Sequence, residues 1–196
     1  MAIFEDLLRQ MILGSDGRPA MLRAVATLGL PDAWIAAGVV RNAVWDSLHG
    51  YKHATPLNDV DVIWFDPDNA TPERDRALEA ALSDRLPVVC WSVKNQARMH
   101  SRNGHRPYRN CLDAMRYWPE TATAVAARLG DNGAFQCQAA FGYDDLFGLV
   151  LRPTRPDAPF AARVRSKGWL ATWPRLRIEA FRSEAEGPSP VDQAAS

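Results

Sequence analysis

The chain has 196 residues and a mass of 21.8 kDa, which is long enough for one well-buried domain. Its hydrophobic content of 47% and charged content of 23% are ordinary for a globular protein. The 23 basic side chains balance the 23 acidic ones, which argues against a protein that coats nucleic acid through bulk charge, so any site for a polyanion must be local.

Neither a membrane span nor a disulfide framework is predicted. No apolar run approaches the ~20 residues that a spanning helix needs. The N-terminal sequence MAIFEDLLRQMILGS is typical of an amphipathic helix, not of a signal peptide. Cys90, Cys111 and Cys137 are odd in number, far apart and form no CxxC motif, which predicts a cytoplasmic protein.

Helices and strands alternate in the first half of the chain. Apolar residues recur at helical spacing in some segments and form short β-branched runs in others, with Gly, Pro and Thr at the boundaries. The predicted elements are helices at 2–13 and 18–29, a strand at 33–40, a helix at 40–50, a strand at 59–66, a helix after Thr71, and a strand at 87–94.

The second half carries weaker signals. The sequence YWPETATAVAARLG predicts a helix that begins near Pro119, and YDDLFGLVL predicts a short helix or strand. A last helix, ended by Pro174, is predicted in PDAPFAARVRSKGWLATWP. Residues 1–175 are interpreted as one domain, and residues 182–196, which contain few apolar side chains, as a disordered tail.

Two aspartates lie within a predicted core strand, in the sequence PLNDVDVIWFD. Because side chains alternate along a strand, Asp59 and Asp61 would share one face while Val60 and Val62 enter the core. Neighbouring carboxylates repel each other, and a divalent cation such as Mg²⁺, which prefers oxygen ligands, removes that repulsion. The alternative is a turn at Asn58 and Asp59, followed by an edge-strand acid at Asp61 that faces water.

A second pattern lies just upstream, where the sequence AAGVVRN joins a strand to a helix. A glycine at such a junction lets backbone N–H groups approach a phosphate, and the helix N-terminus adds partial positive charge. Gly38 and Arg41 are therefore candidate phosphate-binding residues, with Arg41 supplying a charge-assisted contact. The alternative for Gly38 is tight packing of the strand against the helix.

Together these patterns resemble the polymerase-beta-like nucleotidyltransferase superfamily, in which a glycine turn, a helix and a D-h-D strand follow one another. GVVRNAVWDSLHG and TPLNDVDVIWFD are similar to the G-G-x-V-R-D-x-L-L-G and D-h-D motifs of CCA-adding enzymes. VKNQARMH, RNGHRPY and WPETATAVAARL resemble a compact bacterial family of the same superfamily, over a stretch from about Ile35 to about Trp173. The resemblance implies an α/β (α+β) fold, with a small mixed β-sheet flanked by helices and a helical C-terminal part.

The resemblance also implies a chemistry. Asp59 and Asp61 would hold Mg²⁺ or Mn²⁺ at the triphosphate of an NTP, and an acceptor hydroxyl would attack the α-phosphate with release of pyrophosphate. Gly38, Arg41 and Asn42 would contact the nucleotide. The protein would then be an enzyme, a nucleotidyltransferase; the alternative is a catalytically inactive member of the same fold that binds nucleotide or RNA.

Two departures from the superfamily pattern favour that alternative. The usual Gly-Gly or Gly-Ser pair is replaced by Gly38 followed by Val39, which removes a hydroxyl or a second bare backbone position. Many members also carry a third carboxylate on a later strand, but the strand VVCWSVK offers only Ser92. Asp113 and Glu120 are the candidates to replace it.

The segment 94–109 contains no acid and is a candidate surface for a polyanion. Lys94, Arg98 and Arg102 are four residues apart and would share one face of a helix. Lys94 and Arg98 are predicted to bind the nucleotide, and RNA is a further ligand that suits this face. The alternative is a solvated surface that balances the acids of residues 66–84.

The acceptor is predicted to be a small molecule or a protein in preference to RNA, since no separate RNA-binding domain fits after residue 175. Close to that point lie three further cations, Arg163, Arg165 and Lys167, which could close over the nucleotide. The alternative is a terminal helix that only packs against the domain.

Overall fold

A computed structural model of the chain describes residues 2–156 and 160–182. The predicted disordered tail lies, apart from Arg182, outside these residues. The helices are α1 (Ala2–Leu13), α2 (Arg18–Ala26), α3 (Gly38–Leu48), α4 (Pro72–Arg85), α5 (Gln96–Asn103), α6 (Cys111–Met115), α7 (Asp144–Phe147), α8 (Phe160–Lys167) and α9 (Trp169–Thr172), with a 3-10 turn at Thr121–Thr123. The strands are β1 (Trp34–Ala36), β2 (Val60–Trp64), β3 (Trp91–Asn95), β4 (Val125–Leu129), β5 (Phe135–Ala139), β6 (Val150–Leu151) and β7 (Arg177–Ile178).

A five-stranded mixed sheet in the order β3-β2-β1-β4-β5 forms the centre of the fold. Only the β2–β3 pair is parallel; β1 is antiparallel to both of its neighbours, and β4 is antiparallel to β5. A second sheet contains β6 and β7, so regular pairing extends three residues past the predicted domain end at 175. The predicted class, a small mixed sheet flanked by helices, is confirmed.

Side-chain alternation along β2 divides the interior into two parts. Val60, Val62 and Trp64 enter the main core, which also takes the buried faces of α1, α2, α3 and α4. Ile63 lies on the opposite face, in a smaller cluster that α6 covers with Met115. Asp61 occupies the same face as Ile63, near the start of β2, and its side chain is half-buried.

The helix predicted from Pro119 is wrong. After the 3-10 turn, the sequence VAARL forms β4, with Ile35 opposite Ala127 and Ala36 opposite Ala126 in the central strand β1. Alanine favours helices in isolation, but here its small side chain allows close packing in the interior of the sheet, where Ala126 and Ala127 are fully buried. Tertiary packing therefore outweighs local propensity in β4. The next strand, β5, which the sequence analysis also did not predict, pairs antiparallel with β4.

Other boundaries differ by smaller amounts. The second helix ends at Ala26 and not near residue 29, and β1 ends at Ala36, before Gly38. The segment YDDLFGLVL forms both a helix and a strand, α7 followed by β6. The last predicted helix is interrupted by Gly168, whose φ of 62° lies in the left-handed region, and ends at Thr172 before Pro174. Within the described residues, no helix is long and apolar enough to cross a membrane.

Candidate active site

The pairing of β1 with β2 brings the two predicted motifs together. Ala36, the last residue of β1, lies opposite Asp61, and the chain then turns through Ala37 into the first turn of α3. Asp59, immediately before β2, is exposed, whereas Asp61 is half-buried. The N-terminus of α3 and both carboxylates therefore lie at the same end of the paired strands β1 and β2.

The two carboxylates interact unfavourably with each other. Burial raises the pKa of Asp61 above its usual range, and the negative charge of Asp59 raises it further. Three cations act in the opposite direction and lower the pKa of Asp61: Arg41, Lys167 and Arg163. The site thus has a like-charge pair in which burial and repulsion disfavour the ionised form of Asp61, while three cations favour it.

The turn into α3 has a strained backbone at Ala37, not at Gly38. Ala37 has φ 53° and ψ −115°, a conformation that favours glycine, and its N–H donates to the Val125 carbonyl at 2.9 Å. A Cβ on Gly38 would meet Leu57 Cδ2 at 3.7 Å and Arg41 Nη2 at 3.8 Å, which are ordinary contacts. Packing of the strand against the helix therefore does not require glycine at position 38, and its role at a phosphate stays a prediction. The backbone conformation that favours glycine lies one residue earlier, at Ala37.

Arg41 lies behind the carboxylates and is almost completely buried. Its Nη1 donates to Thr123 Oγ1 at 3.1 Å and its Nη2 to Asn42 Oδ1 at 2.9 Å, while the guanidinium stacks between the rings of Trp45 and Trp169. Burial lowers its pKa to about 10, so it stays protonated at neutral pH. Asn42 thus orients Arg41, and Arg41 places a fixed positive charge near Asp59 and Asp61.

The two candidates for a third carboxylate have other partners. Asp113 accepts two hydrogen bonds from Arg106, at 2.8 and 2.9 Å, and one from the Arg109 backbone N–H. Glu120 is fully buried, and Arg163 Nε lies 2.7 Å from its Oε1 as an ion pair, although the N–H is not aligned for a hydrogen bond. In the part of the chain that the structure describes, no three His, Cys, Asp or Glu side chains form a group that could hold a metal.

Helix α8 supplies two of the cations that act on Asp61. Arg163 and Lys167 are four residues apart and so lie on one face of the helix. Arg163 binds Glu120 from this face, and Lys167 is exposed. The sequence named both only as part of a segment that could close over the nucleotide, because nothing in their spacing connects them to Asp61, about a hundred residues earlier.

Lys94 and Arg98 interact with α4 and are not among the charges that act on Asp61. Lys94 Nζ lies 2.7 Å from Glu79 Oε1, and that same oxygen accepts the Val93 backbone N–H at the edge of the sheet. Arg98 pairs with the buried carboxylate of Asp75. The predicted nucleotide-binding residues thus separate into one set at the carboxylates, which contains Gly38, Arg41 and Asn42, and a second set that attaches α4 to β3 and α5.

Asp59 and Asp61 together offer ligand atoms that suit a divalent cation. Both side chains offer carboxylate oxygens, the ligands that Mg²⁺ and Mn²⁺ prefer, and Mg²⁺ is usually held by one or two carboxylates together with substrate phosphates. The pKa of Asp61 is raised first by its burial and then by the charge of Asp59, so its ionised form is disfavoured here. A cation between Asp59 and Asp61 would relieve that repulsion.

Comparison with known proteins gives consistent results. A family model described as nucleotidyltransferase matches residues 23–178. An NMR structure described as a CCA-adding enzyme head domain is 32% identical, with a TM-score of 0.78 over 89% of this chain and 95% of that one. No curated protein matches the chain.

More distant structures share the fold alone. A CCA-adding enzyme in complex with CTP is 14% identical with a TM-score of 0.55, over 88% of this chain and 43% of that one. The Thermotoga maritima CCA-adding enzyme in complex with tRNA is 16% identical with a TM-score of 0.51, over 82% of this chain and 38% of that one. The chain thus spans less than half the length of these two enzymes.

Proposed function

Because the chain belongs to the nucleotidyltransferase family, we propose that it transfers a nucleoside monophosphate from an NTP to an acceptor hydroxyl and releases pyrophosphate. Asp59 and Asp61 hold Mg²⁺ or Mn²⁺ in this proposal. The observation that carries it is the register of β1 on β2, which places Asp61 opposite Ala36 and therefore beside the N-terminus of α3. We also infer a cytoplasmic location, in keeping with three cysteines that are all free thiols.

The triphosphate has donors on two sides. The first-turn N–H groups of Gly38 and Val39 have no acceptor within α3, so they can donate to phosphate oxygens at the positive end of the helix dipole. Lys167 approaches from α8 and is exposed. Arg41, whose hydrogen bonds hold it in place, contributes charge from behind the site.

The reaction is an in-line displacement at the α-phosphorus. The acceptor oxygen forms a bond to that phosphorus, the bond from phosphorus to the α–β bridging oxygen breaks, and pyrophosphate leaves with the bonding electron pair. The hydroxyl proton passes to an oxygen of Asp59, the more exposed carboxylate, and from there to water. A divalent cation, when bound, neutralises the charge that develops on the phosphates.

Calorimetry tests the proposal on the full chain. We expect one or more of the four NTPs to bind with an affinity that depends on Mg²⁺, and we expect Asp61→Asn to weaken this binding by at least tenfold, because it removes one of two cation ligands. Asp84→Asn, which changes an exposed acid on α4, is the matched control and leaves binding unchanged.

Two results would contradict the proposal. Nucleotide affinity that is indifferent to both Mg²⁺ and Asp61 would remove the metal site. Metal-dependent binding without pyrophosphate release, for acceptors of any class, would favour the alternative of a nucleotide-binding protein without catalysis, which the pair of carboxylates without a third in the described residues also supports.

A further inference from the structure

We propose that a cleft beside Asp59 is the acceptor site of this enzyme and that it binds a small neutral polyol. This inference rests on the proposed function, because it assigns the second substrate of the same site. The cleft has a volume of about 240 Å³ and lies between α2, residues 54–60 and the loop at 88–90.

The cleft is next to the carboxylates. Asp59 lines it directly, and so does Leu57, the side chain that a Cβ on Gly38 would meet at 3.7 Å. Leu57 therefore separates the cleft from the helix N-terminus that we assign to the triphosphate. A ligand in the cleft would have Asp59 at the end nearest the phosphates.

A buried guanidinium in the wall has unused hydrogen-bonding capacity. Arg18 is 4% exposed; its Nε donates to the Val39 carbonyl at 3.0 Å, but its Nη2 has no hydrogen-bond partner. Asp46 Oδ2, 3.7 Å away, already accepts two hydrogen bonds from Thr55. Nη2 is itself enclosed by protein and close to Asp46, so Arg18 adds a buried positive charge to the wall of the cleft.

The charges that line the cleft disfavour an anionic ligand. Arg18 contributes one positive charge, and Asp16 and Asp59 contribute two negative ones, so the excess is negative. This balance disfavours a carboxylate or phosphate. The lining offers both donors and acceptors, as hydroxyl groups require.

Size and apolar surface agree with that choice. The walls include Met21, Leu57, Val60 and Val89, which can pack against the C–H face of a ring. Pockets for drug-sized ligands begin at roughly 300 Å³, and this cleft is smaller. A single-ring polyol, with one hydroxyl directed at Asp59, meets all of these conditions.

NMR of the ¹⁵N-labelled full chain tests the site without relying on turnover. Ribose, glucose and myo-inositol are the neutral probes and lactate is the anionic one, each used at concentrations that detect millimolar binding. We expect at least one neutral probe to shift the backbone amides of Thr55, Leu57 and Cys90, which lie along the cleft. Lactate should leave them unshifted.

A matched pair of variants identifies the cleft as the origin of the shifts. Ala54→Trp places a large ring at the exposed mouth of the cleft without removing an interaction, whereas Ala77→Trp places the same ring on the exposed face of α4. We expect Ala54→Trp to abolish the shifts and Ala77→Trp to retain them. Ala54→Trp is preferred to a change at Arg18, whose burial against Val39 makes its loss a threat to folding.

The outcomes separate this inference from the proposed function. It is overturned if no neutral probe shifts these amides, if Ala54→Trp binds the probes as the wild type does, or if lactate binds in preference. Shifts that Ala54→Trp abolishes, in a protein that binds no NTP with Mg²⁺, would support the cleft and contradict the transferase proposal. Pyrophosphate release that a neutral probe stimulates in the wild type, but not in Ala54→Trp, would support both.

Discussion

Ala37 has a positive φ, a backbone conformation that favours glycine, whereas the adjacent Gly38 does not. At φ 53° its Cβ is strained, and such positions cost of order 1–3 kcal/mol. The strain is maintained by the hydrogen bond from its N–H to Val125 and by the two N–H groups of Val40 and Arg41, which both donate to its carbonyl. These three bonds determine the direction in which α3 leaves the sheet and hence where its N–H groups point.

Ala37→Gly should therefore stabilise the fold. The relief of strain exceeds the extra unfolded-state entropy of glycine, and we expect the free energy of unfolding to rise by about 1 kcal/mol. Urea denaturation measures this directly. Ala77→Gly, in the exposed interior of α4, is the control and should lower stability by about 1 kcal/mol; a loss of stability in Ala37→Gly would show that its conformation is not strained.

Asp113 provides a prediction on pH. Its pKa is held at about 2, mainly by the hydrogen bonds from Arg106. A carboxylate whose pKa is depressed on folding stabilises the protein above its unfolded pKa near 4, and this contribution is lost as the pH falls through about 2. The acid form is therefore the less stable one.

Asp113→Asn should lower the free energy of unfolding at pH 7 by about 1–2 kcal/mol, a figure reduced for the solvent screening of the half-exposed Arg106. Denaturation curves recorded between pH 7 and pH 2 would show the difference from wild type shrinking below pH 4. A difference that stays constant down to pH 2 would mean that the ion pair is not its source.

At the scale of elements, an ion pair with a buried carboxylate connects α8 to the site. Arg163 forms an ion pair with Glu120, whose pKa is raised by burial. The charge of Glu120 also raises the pKa of Arg41. Breaking a buried ion pair leaves an uncompensated charge, so the pair fixes α8 against the 3-10 turn. Lys167, one turn further on, is thereby placed near Asp61.

Lys167→Ala should weaken the binding of NTP with Mg²⁺ about tenfold, since a charge-assisted contact to phosphate is worth roughly 1.5 kcal/mol. The dissociation constant from calorimetry is the readout. Arg165→Ala removes an exposed cation from the same helix and should leave the affinity unchanged. Equal effects of the two substitutions would indicate general electrostatics and not a specific contact.

The elements that the sequence predicted well are those with a clear period and a terminal signal. Helix α4 begins at Pro72 after Thr71, whose hydroxyl accepts the Arg74 N–H as expected of an N-cap. The two failures have different causes. Strand β4 is an alanine-rich segment that is buried by its pairing with β1, from the first third of the chain, and no local pattern carries that information. Strand β5, FQCQA, does alternate apolar and polar side chains after the turn sequence DNG, so its local signal was present.

At the scale of the whole molecule, the hydrophobic core includes residues that lie outside the segment matched by the family model. Helix α1 lies outside residues 23–178, yet its Leu8 and Ile12 are fully buried in the main core together with Leu22 of α2. The two N-terminal helices are thus part of the structure that supports α3 and, through Arg18, part of the cleft beside Asp59.

Leu8→Ala should cost about 2–5 kcal/mol of stability, the range for a large-to-small change in a packed core. Ile3→Ala, in the same helix at a residue that is 75% exposed, should stay within about 0.5 kcal/mol of wild type. Chemical denaturation compares the two. Similar small effects would mean that α1 packs loosely and could be removed.

The candidate site was predictable only where it is local in sequence. Gly38, Arg41, Asp59 and Asp61 lie on consecutive elements, and their arrangement follows from a strand, a turn and a neighbouring strand. Lys167 acts on Asp61 across about a hundred residues, and Arg18 joins the cleft from a preceding helix. Such contacts depend on the complete fold.

The position of α8 has a consequence for protein synthesis. Both carboxylates and the turn at Ala37 are made within the first third of the chain, whereas Arg163 and Lys167 emerge from the ribosome more than a hundred residues later. Until then Glu120 is without its ion pair and Asp61 without two of its three neutralising cations. A nascent or prematurely terminated chain therefore carries both carboxylates of the candidate site without two of the cations that lower the pKa of Asp61.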